Sequence, residues 1–286
     1  TSTAGAIAAF YRGVPVIHAE AGLRSHNLHS PFPEEGNRKL TSQITSLHLA
    51  PTPLSRENLL HEAVAREDIA VTGNTVIDAL LHAVAQRVPF SDPRLERLTA
   101  DASRILLVTV HRRENQGEAM QRIGRALARI AAREPSLTIV LPLHRNPAVR
   151  EAILPEIKNV TNILLTEPLG YGTFTRLLSM AHVVLTDSGG VQEEAPSLGK
   201  PVLVMRDNTE RPEAVTAGTV KLIGTEEDRI VNEVQCLLNN PDAYRAMANA
   251  VNPYGDGRAA ERTVAAISHM FDVGDRMEDF APNVRT

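Results

Sequence analysis

A glycine-rich turn between an apolar run and a short helix is the part of the sequence best suited to bind a phosphate. The apolar run Ala181–Leu185 leads into the turn Asp187–Gly190, and a helix that ends at Gly199 is predicted to follow. Glycines there let backbone N–H groups approach an anion, and the helix dipole adds positive potential. Phosphate donors beside the helix carboxylates suit a nucleotide sugar. The alternative is a tight turn whose glycines serve only the backbone.

Polar residues also follow four other strand-like runs in this part of the chain. Ligands of open parallel sheets bind beyond the carboxyl ends of the strands, so five polar strand ends in succession predict a site. The five segments are His111–Asn115, His144–Asn146, Glu167–Tyr171, Asp187–Gly190 and Arg206–Arg211.

Side-chain chemistry suggests a binding role for each residue near the turn. Arg211 suits a diphosphate, because a guanidinium matches phosphate oxygens in a bidentate manner. Ser188, Gly189 and Gly190 would donate to the same phosphates. Glu194, one helical turn further, would accept from ribose hydroxyls, unless it is an ordinary first-turn carboxylate favoured by the helix dipole.

Three residues are the candidates for acid–base chemistry. Glu20, Glu34 and His111 carry groups whose protonation can be tuned in a closed cleft. The alternatives are solvated surface carboxylates and a strand-end histidine with structural partners. A metal site from His18, Glu20, His111 and His144 is rejected, because their spacing matches no ligand pattern.

The composition excludes several classes of protein. The 286 residues are 43% hydrophobic but only 3% aromatic, which favours buried parallel strands over an aromatic-rich sandwich. The net charge of −4 gives no general field for nucleic acid. No apolar run is long enough for a bilayer. The single Cys236 fits a reducing cytoplasm. It lies in a predicted amphipathic helix and is expected on the face of that helix that packs into the protein core.

Strands alternating with helices predict an α/β fold with doubly wound parallel sheets. We expect a partial first Rossmann-like domain at 1–80 and a second Rossmann-like domain at 81–257, which would contain the nucleotide-binding site. The segment 258–286 should hold a last helix and an acidic tail that frays. The polar stretch 88–102 is interpreted as the connection between the domains. The first residues enter an apolar helix without a preceding strand, so the first domain is expected to be incomplete.

Seven motifs together resemble the bacterial non-hydrolysing UDP-N-acetylglucosamine 2-epimerases. The resemblance runs from residue 1 to about residue 270 and is carried by His18–Arg24, Pro31–Arg38, Thr72–Asp78, His111–Asn115, Thr186–Pro196, Arg206–Pro212 and Asn252–Gly257. It implies a GT-B fold with the active site in the cleft between two Rossmann-like domains. It also implies a cytoplasmic homodimer, a last helix that crosses back to the first domain, and no cofactor.

The resemblance also implies a reaction. The family inverts C2 of the sugar by eliminating UDP across C1–C2, which gives a 2-acetamidoglucal, and by adding UDP back after reprotonation on the opposite face. Glu20 and Glu34 match the catalytic carboxylates of the family, and His111 matches its essential histidine near the diphosphate.

Further residues match the binding sites of the family. The UDP-binding set corresponds to Ser188, Gly189, Gly190, Glu194 and Arg211. Phe174 lies where the family packs a side chain near uracil. Arg112 and His144 match residues of a regulatory site that binds a second UDP-N-acetylglucosamine in some members.

The sequence departs from the family at its start. Family members carry a His-Gly-Asp, whose Asp is a third catalytic carboxylate, just before the helix that begins this chain, and a glycine-rich turn nearer their N-terminus. If this were the whole polypeptide, we would expect no epimerase activity. A GT-B glycosyltransferase and a non-catalytic UDP-sugar sensor therefore remain as alternatives.

Overall fold

Two parallel sheets organise the chain in the computed structural model, which describes residues 1–29, 32–100, 104–209 and 211–282. The strands are β1 (Ile17–Ala19), β2 (Leu47–Ala50), β3 (Ile69–Val71), β4 (Ile105–Thr109), β5 (Thr138–Pro142), β6 (Ile163–Thr166), β7 (Val183–Thr186), β8 (Val202–Val204) and β9 (Val220–Leu222).

The helices fill the connections between these strands. They are α1 (Ser2–Tyr11), α2 (Glu34–Ser42), α3 (Pro53–His61), α4 (Thr75–Ala85), α5 (Pro93–Arg97), α6 (Glu118–Arg133), α7 (Pro147–Ile153), α8 (Tyr171–Met180), α9 (Val191–Ser197), α10 (Pro212–Thr216), α11 (Glu227–Asn239), α12 (Pro241–Ala248) and α13 (Ala259–Met270). No helix of the described ranges combines the length and the apolar character that a membrane span needs.

The chain divides into two units. One comprises Thr1–Ala79 with Pro253–Thr286, and the other comprises Leu80–Asn252. The divisions fall after Ala79 and Asn252, near the predicted boundaries after residues 80 and 257.

The first unit contains the sheet β1-β2-β3 with helices on both faces. Alternate residues of β2 face opposite ways: Leu47 and Leu49 pack with Ala266 of α13, whereas Ala50 packs with Leu59 of α3. A strand covered on both faces needs apolar side chains in both directions.

The N-terminus of helix α13 is held within the first unit by hydrogen bonds to Asp78. The backbone N–H groups of Ala259 and Ala260 donate to the Asp78 carboxylate at 3.1 and 2.9 Å. A carboxylate satisfies the unpaired first-turn N–H groups and complements the helix dipole. Asp78 thereby fixes where the last helix begins.

The second unit contains a six-stranded parallel sheet in the order β6-β5-β4-β7-β8-β9. Helix α6 buries Met120, Ile123, Leu127 and Ile130, which recur every three or four residues, against one face of this sheet. Gly199 follows α9 with φ +66, a conformation that favours glycine, and it ends the helix as predicted.

The acidic tail does not fray over its described part. The backbone N–H of Phe280 donates to Val71 O at 2.7 Å, and Asp279 accepts from Val71 N at 3.0 Å. The Phe280 side chain is buried. The tail therefore satisfies backbone groups of β3, a partnership that acidic composition alone does not reveal.

Two other expectations are wrong. Cys236 lies on the exposed face of α11 rather than in the core, because Val234 and Leu237 take the buried positions around it. The stretch 88–100 is packed on the second unit: Arg176 lies over the Phe90 ring, with its guanidinium carbon 4.4 Å from the ring centroid.

Several predicted segments extend beyond the described residues. These are positions 30–31 of the loop before α2, positions 101–102 of the expected connection, Glu210 in the segment after β8, and positions 283–286 of the tail.

Candidate active site

The polar strand ends of the second unit meet at its topological switch point. The chain continues from β4 to β5 on one side of the sheet, and from β7 to β8 on the other. Loops that leave two adjacent strands in opposite directions open a crevice at their carboxyl ends. His111 follows β4 and Asp187 follows β7, so the switch point brings these two residues together.

Asp187 is the buried centre of this arrangement. Its carboxylate accepts from the backbone N–H groups of His111 (3.0 Å) and Arg112 (2.9 Å), and from Asn115 Nδ2 (3.1 Å). Burial by itself would raise the pKa of Asp187, but the hydrogen bonds from the His111 side chain and from these amides outweigh it and hold the pKa below its usual value. The buried charge is therefore satisfied by fixed donors.

His111 is oriented by the same carboxylate. Its Nδ1 lies 3.2 Å from Asp187 Oδ1, and 39% of the side chain is exposed. A hydrogen bond to one ring nitrogen determines which nitrogen carries the proton. Nδ1 is thus the donor to Asp187, and Nε2 is the nitrogen left for a ligand.

The two predicted regulatory residues lie beside His111. The exposed His144 ring stacks on the His111 ring, with centroids 5.9 Å apart. Arg112 donates from Nε to the carbonyl of Asp187 at 3.2 Å. We call the cluster of His111, Arg112, His144 and the turn Asp187–Gly190 the switch-point site.

The glycine turn is open where a ligand would approach. Gly190 has an ordinary helical φ of −63°, and a Cβ placed on it would meet no atom within 4 Å. Neither backbone geometry nor packing therefore requires glycine at this position, which argues against the purely structural alternative. The Ser188 N–H already donates to Thr186 Oγ1 at 2.9 Å, so only the hydroxyl of Ser188 remains to serve a phosphate.

Arg211 has a protein partner that sequence reasoning missed. Its Nε donates to Glu193 Oε1, and both side chains are largely buried. The structure holds Arg211 as half of an ion pair at the start of α9, and its predicted contact with a diphosphate stays a prediction. No local signal separates Glu193 from Glu194, since both are first-turn carboxylates.

Glu194 is held from a different helix. Its Oε1 accepts from the Tyr171 hydroxyl at 3.0 Å, and only 7% of Glu194 is exposed. Burial raises the pKa of Glu194, against the opposing effect of the Tyr171 hydrogen bond. Phe174 lies one turn after Tyr171 on α8 and is half-buried, so the predicted uracil contact and the predicted ribose carboxylate are linked through one helix.

Gln192 connects the glycine turn to the loop after β8. Its Nε2 donates to Ser188 O at 3.2 Å, and its Oε1 accepts from Thr209 Oγ1 at 2.8 Å. Thr209 Oγ1 in turn accepts from Arg211 N at 3.1 Å. No local sequence signal identifies this brace, because the burial of Gln192 and its contact with Thr209 arise only in the folded sheet.

One predicted strand end does not join the switch-point site. Glu167, after β6, is exposed and forms an ion pair with Arg150 at 2.7 Å. Exposed pairs of this kind contribute little to stability.

The predicted catalytic carboxylates line one cavity in the first unit. Glu20 follows β1 and Glu34 begins α2, and both border a cavity of about 450 Å³ together with His18 and Arg38. We call this the carboxylate cavity. Glu35, next to Glu34, is fully buried and accepts from the backbone N–H groups of Ser25 and His26, so it supports the loop and Glu34 faces the cavity.

Glu20 has an unusual backbone conformation. Its φ is +56°, which non-glycine residues seldom adopt, and it is exposed. Asn74 Nδ2 donates to Glu20 Oε1 at 3.2 Å. Strained positions of this kind cluster at functional sites, so the geometry supports a functional interpretation of Glu20.

Two neighbouring histidines, His18 and His48, lie at the carboxylate cavity, which His18 borders. His18 and His48 are aligned across β1 and β2 with ring centroids 6.5 Å apart, and their buried Nδ1 atoms have no hydrogen-bond partner within the described residues. Burial, assisted by Arg24 and Arg38, lowers the pKa of His18 to about 4. Burial, assisted by His18 and Arg24, lowers the pKa of His48 to about 4. Both rings are therefore neutral at pH 7.

Comparison with known proteins identifies the family. Residues 1–268 match the family described as UDP-N-acetylglucosamine 2-epimerase. A UDP-N-acetylglucosamine 2-epimerase of Escherichia coli is 51% identical over 275 residues, which cover 94% of this chain and 73% of that protein. A probable UDP-N-acetylglucosamine 2-epimerase of Ralstonia nicotianae is 55% identical, and the match covers 95% of this chain and 74% of that protein.

A solved structure agrees with these relatives. The Neisseria meningitidis UDP-GlcNAc 2-epimerase bound to UDP-GlcNAc has a TM-score of 0.86 and 46% identity, covering 93% of this chain and 73% of that one. The chain belongs to the UDP-N-acetylglucosamine 2-epimerase family. The predicted family, class of enzyme and GT-B fold class are thereby confirmed.

Proposed function

We propose that the protein interconverts UDP-N-acetylglucosamine and UDP-N-acetylmannosamine by inverting C2. The observation that carries the proposal is that Glu20 and Glu34, from two different elements, border one cavity. Inversion requires a group that removes the C2 proton and a group that returns a proton to the opposite face, and two carboxylates can divide this work.

The proposed reaction has two balanced steps. A carboxylate takes the C2 proton while the C1–O bond breaks, and UDP departs with the bonding electron pair to leave a 2-acetamidoglucal. UDP then adds back to C1 as a proton is delivered to the other face of C2. No electrons are gained or lost, so the reaction needs no redox cofactor.

The switch-point site would bind the departing UDP. Gly189, Gly190 and the Ser188 hydroxyl lie at the start of α9, where backbone N–H groups attract anions. The Glu193 partnership holds Arg211 at the same helix start. His111 would stabilise the leaving diphosphate through Nε2, because Asp187 occupies Nδ1.

Glu194 and Phe174 would bind the nucleoside part of UDP. Glu194 is a buried acceptor for ribose hydroxyls and already accepts from the Tyr171 hydroxyl. Phe174 offers an apolar ring one helical turn from Tyr171 on α8.

Arg112 and His144 would bind a second UDP-N-acetylglucosamine, since both adjoin His111. A sigmoidal dependence of rate on substrate concentration, lost in His144→Ala, is the expected result. A hyperbolic wild-type curve would exclude this regulatory role.

We further propose a cytoplasmic homodimer. The single cysteine fits a reducing compartment, and the family resemblance supports the dimer. Light scattering on the purified protein should give twice the mass of 31.1 kDa expected for one chain.

Proton NMR of UDP-N-acetylglucosamine incubated with the full-length protein in D2O tests the reaction. We expect deuterium to enter C2 and a manno signal to appear without any acceptor. Turnover that requires an acceptor would instead indicate a glycosyltransferase. Binding without exchange would indicate a sensor, and either result would overturn the proposal.

A further inference from the structure

Asn74 is the hydrogen-bond donor that contacts Glu20 in the carboxylate cavity. It follows β3 and precedes α4, and its Nδ2 lies 3.2 Å from Glu20 Oε1. Glu20 is itself exposed and has a left-handed backbone. The orientation of its carboxylate therefore depends on side-chain contacts rather than on a favourable backbone.

The amide of Asn74 can present only its nitrogen to Glu20. Its Oδ1 accepts from the backbone N–H of Val76 at 3.0 Å, as the capping residue of a helix does. A flipped amide would turn its NH2 towards that N–H and its oxygen towards the carboxylate, and both contacts would be repulsive. The helix start thus fixes the direction of the donor.

Asn74 is also held rigidly. It is 3% exposed, and its backbone N–H donates to Tyr254 O at 2.7 Å. Gly73 before it has φ +81, and a Cβ there would lie 3.4 Å from Ala259 Cβ. A buried donor on an anchored backbone can orient an exposed carboxylate that lacks such support.

We infer that Asn74 is a positioning residue that holds the Glu20 carboxylate in one orientation at the carboxylate cavity. A carboxylate that exchanges a proton with carbon must be held within hydrogen-bonding reach of that carbon, and a fixed donor on one of its oxygens restricts its rotation. This inference rests on the proposed function, in which Glu20 exchanges the C2 proton.

Three other charged or titratable side chains at this cavity come from different elements. His18 is on β1, and Glu34 and Arg38 are on α2. Substitution of Asn74 leaves these three side chains unchanged, so a lower exchange rate in such a variant reports the Asn74–Glu20 contact.

The variant Asn74→Asp tests the inference with almost no change in shape. Aspartate retains an oxygen acceptor for the Val76 N–H and remains a good helix cap, but it turns the donor towards Glu20 into an acceptor. The rate of C2 hydrogen exchange should fall roughly 10- to 100-fold, as loss of a hydrogen bond to a charged group implies. KM should stay close to wild type, because a positioning role affects turnover and not the binding of the substrate.

Asn74→Ser supplies a second measurement, because serine caps the helix but neither donates like the amide nor adds a charge. Exchange should fall, but less than in Asn74→Asp, because serine places no second carboxylate beside Glu20. If wild type exchanges C2 hydrogen but Asn74→Asp keeps the wild-type rate, the inference is wrong. If Asn74→Asp does not fold, a wild-type rate in Asn74→Ser overturns it. A wild type without exchange refutes the proposed function instead.

Discussion

The switch-point site and the carboxylate cavity differ in how far their charged groups are buried. At the switch-point site the central charge, Asp187, is fully buried and receives fixed hydrogen bonds from His111, Arg112 and Asn115. At the carboxylate cavity the two proposed catalytic groups, Glu20 and Glu34, are exposed. Binding of a diphosphate is served by a rigid frame, whereas proton transfer needs groups that can change their charge at a modest energetic cost.

This contrast predicts that substitutions at the carboxylate cavity impair turnover and that substitutions at the switch-point site impair stability and binding. Three substitutions test it, and a fourth experiment on the histidine pair measures how the carboxylate cavity contributes to stability; the order is from the largest expected effect to the smallest.

Glu34→Gln should lower turnover by about 10²- to 10⁴-fold, the usual contribution of a positioned acid or base. UDP affinity should change little, because Glu34 belongs to the carboxylate cavity and is exposed. Glu118→Gln is the matched control, since Glu118 is also an exposed first-turn carboxylate. NMR exchange rates and calorimetric UDP titration measure both quantities. Unchanged turnover in Glu34→Gln would remove its catalytic role.

Asp187→Asn should lower the free energy of unfolding by roughly 2–4 kcal/mol, because the new NH2 group faces buried N–H donors that need an acceptor. UDP binding should weaken as His111 loses its orientation. Urea denaturation measures the stability, and Asp242→Asn, in the same unit but exposed on α12, is the control. A fully stable Asp187→Asn protein would show that the buried network is not what supports this site.

The positions of these two sites could be predicted from the sequence more reliably than their internal contacts. The apolar run Ala181–Leu185 leads into strand β7, and Gly199 ends α9 as expected, because an apolar run and a helix-ending glycine are local signals. The ion pair of Arg211 with Glu193 and the brace at Gln192 were not predicted. They join helix α9 to the segment after β8, which only the folded sheet brings together.

Adjacent residues of the same type show this limit most clearly. Glu34 and Glu35 are indistinguishable by charge or helix position, yet Glu35 is fully buried and holds the loop while Glu34 faces the carboxylate cavity. The resemblance selected Glu34, whereas local chemistry alone could not. The prediction that Cys236 is buried was wrong, because a helical pattern defines an apolar face only to within about one residue position.

The histidine pair at the carboxylate cavity should make stability depend on pH. The pKa values of His18 and His48 are lowered to about 4, below the ordinary 6.5, so the unfolded chain binds more protons between these values. Stability is therefore complete above pH 6.5 and decreases as the pH falls towards 4. Between pH 7.5 and 5 each histidine should account for about 2 kcal/mol.

Urea denaturation at several pH values measures this effect. His48→Gln should make the curve shallower, whereas His61→Gln, an exposed histidine of the same unit, should not. Equal pH dependence in wild type and His48→Gln would contradict the assignment of the effect to this pair.

Tyr171→Phe is expected to have the smallest effect. It distinguishes UDP binding from turnover, because only the first should change. Its hydroxyl donates to the buried Glu194, so its removal should weaken UDP binding by about 1–2 kcal/mol, or roughly 5- to 30-fold. Turnover at saturating substrate should stay near wild type, because Glu194 binds the nucleoside and takes no part in proton transfer. Tyr11→Phe, in the exposed α1, controls for loss of a hydroxyl. A fall in saturated turnover with unchanged UDP affinity would show that the division of labour between the two sites is wrong.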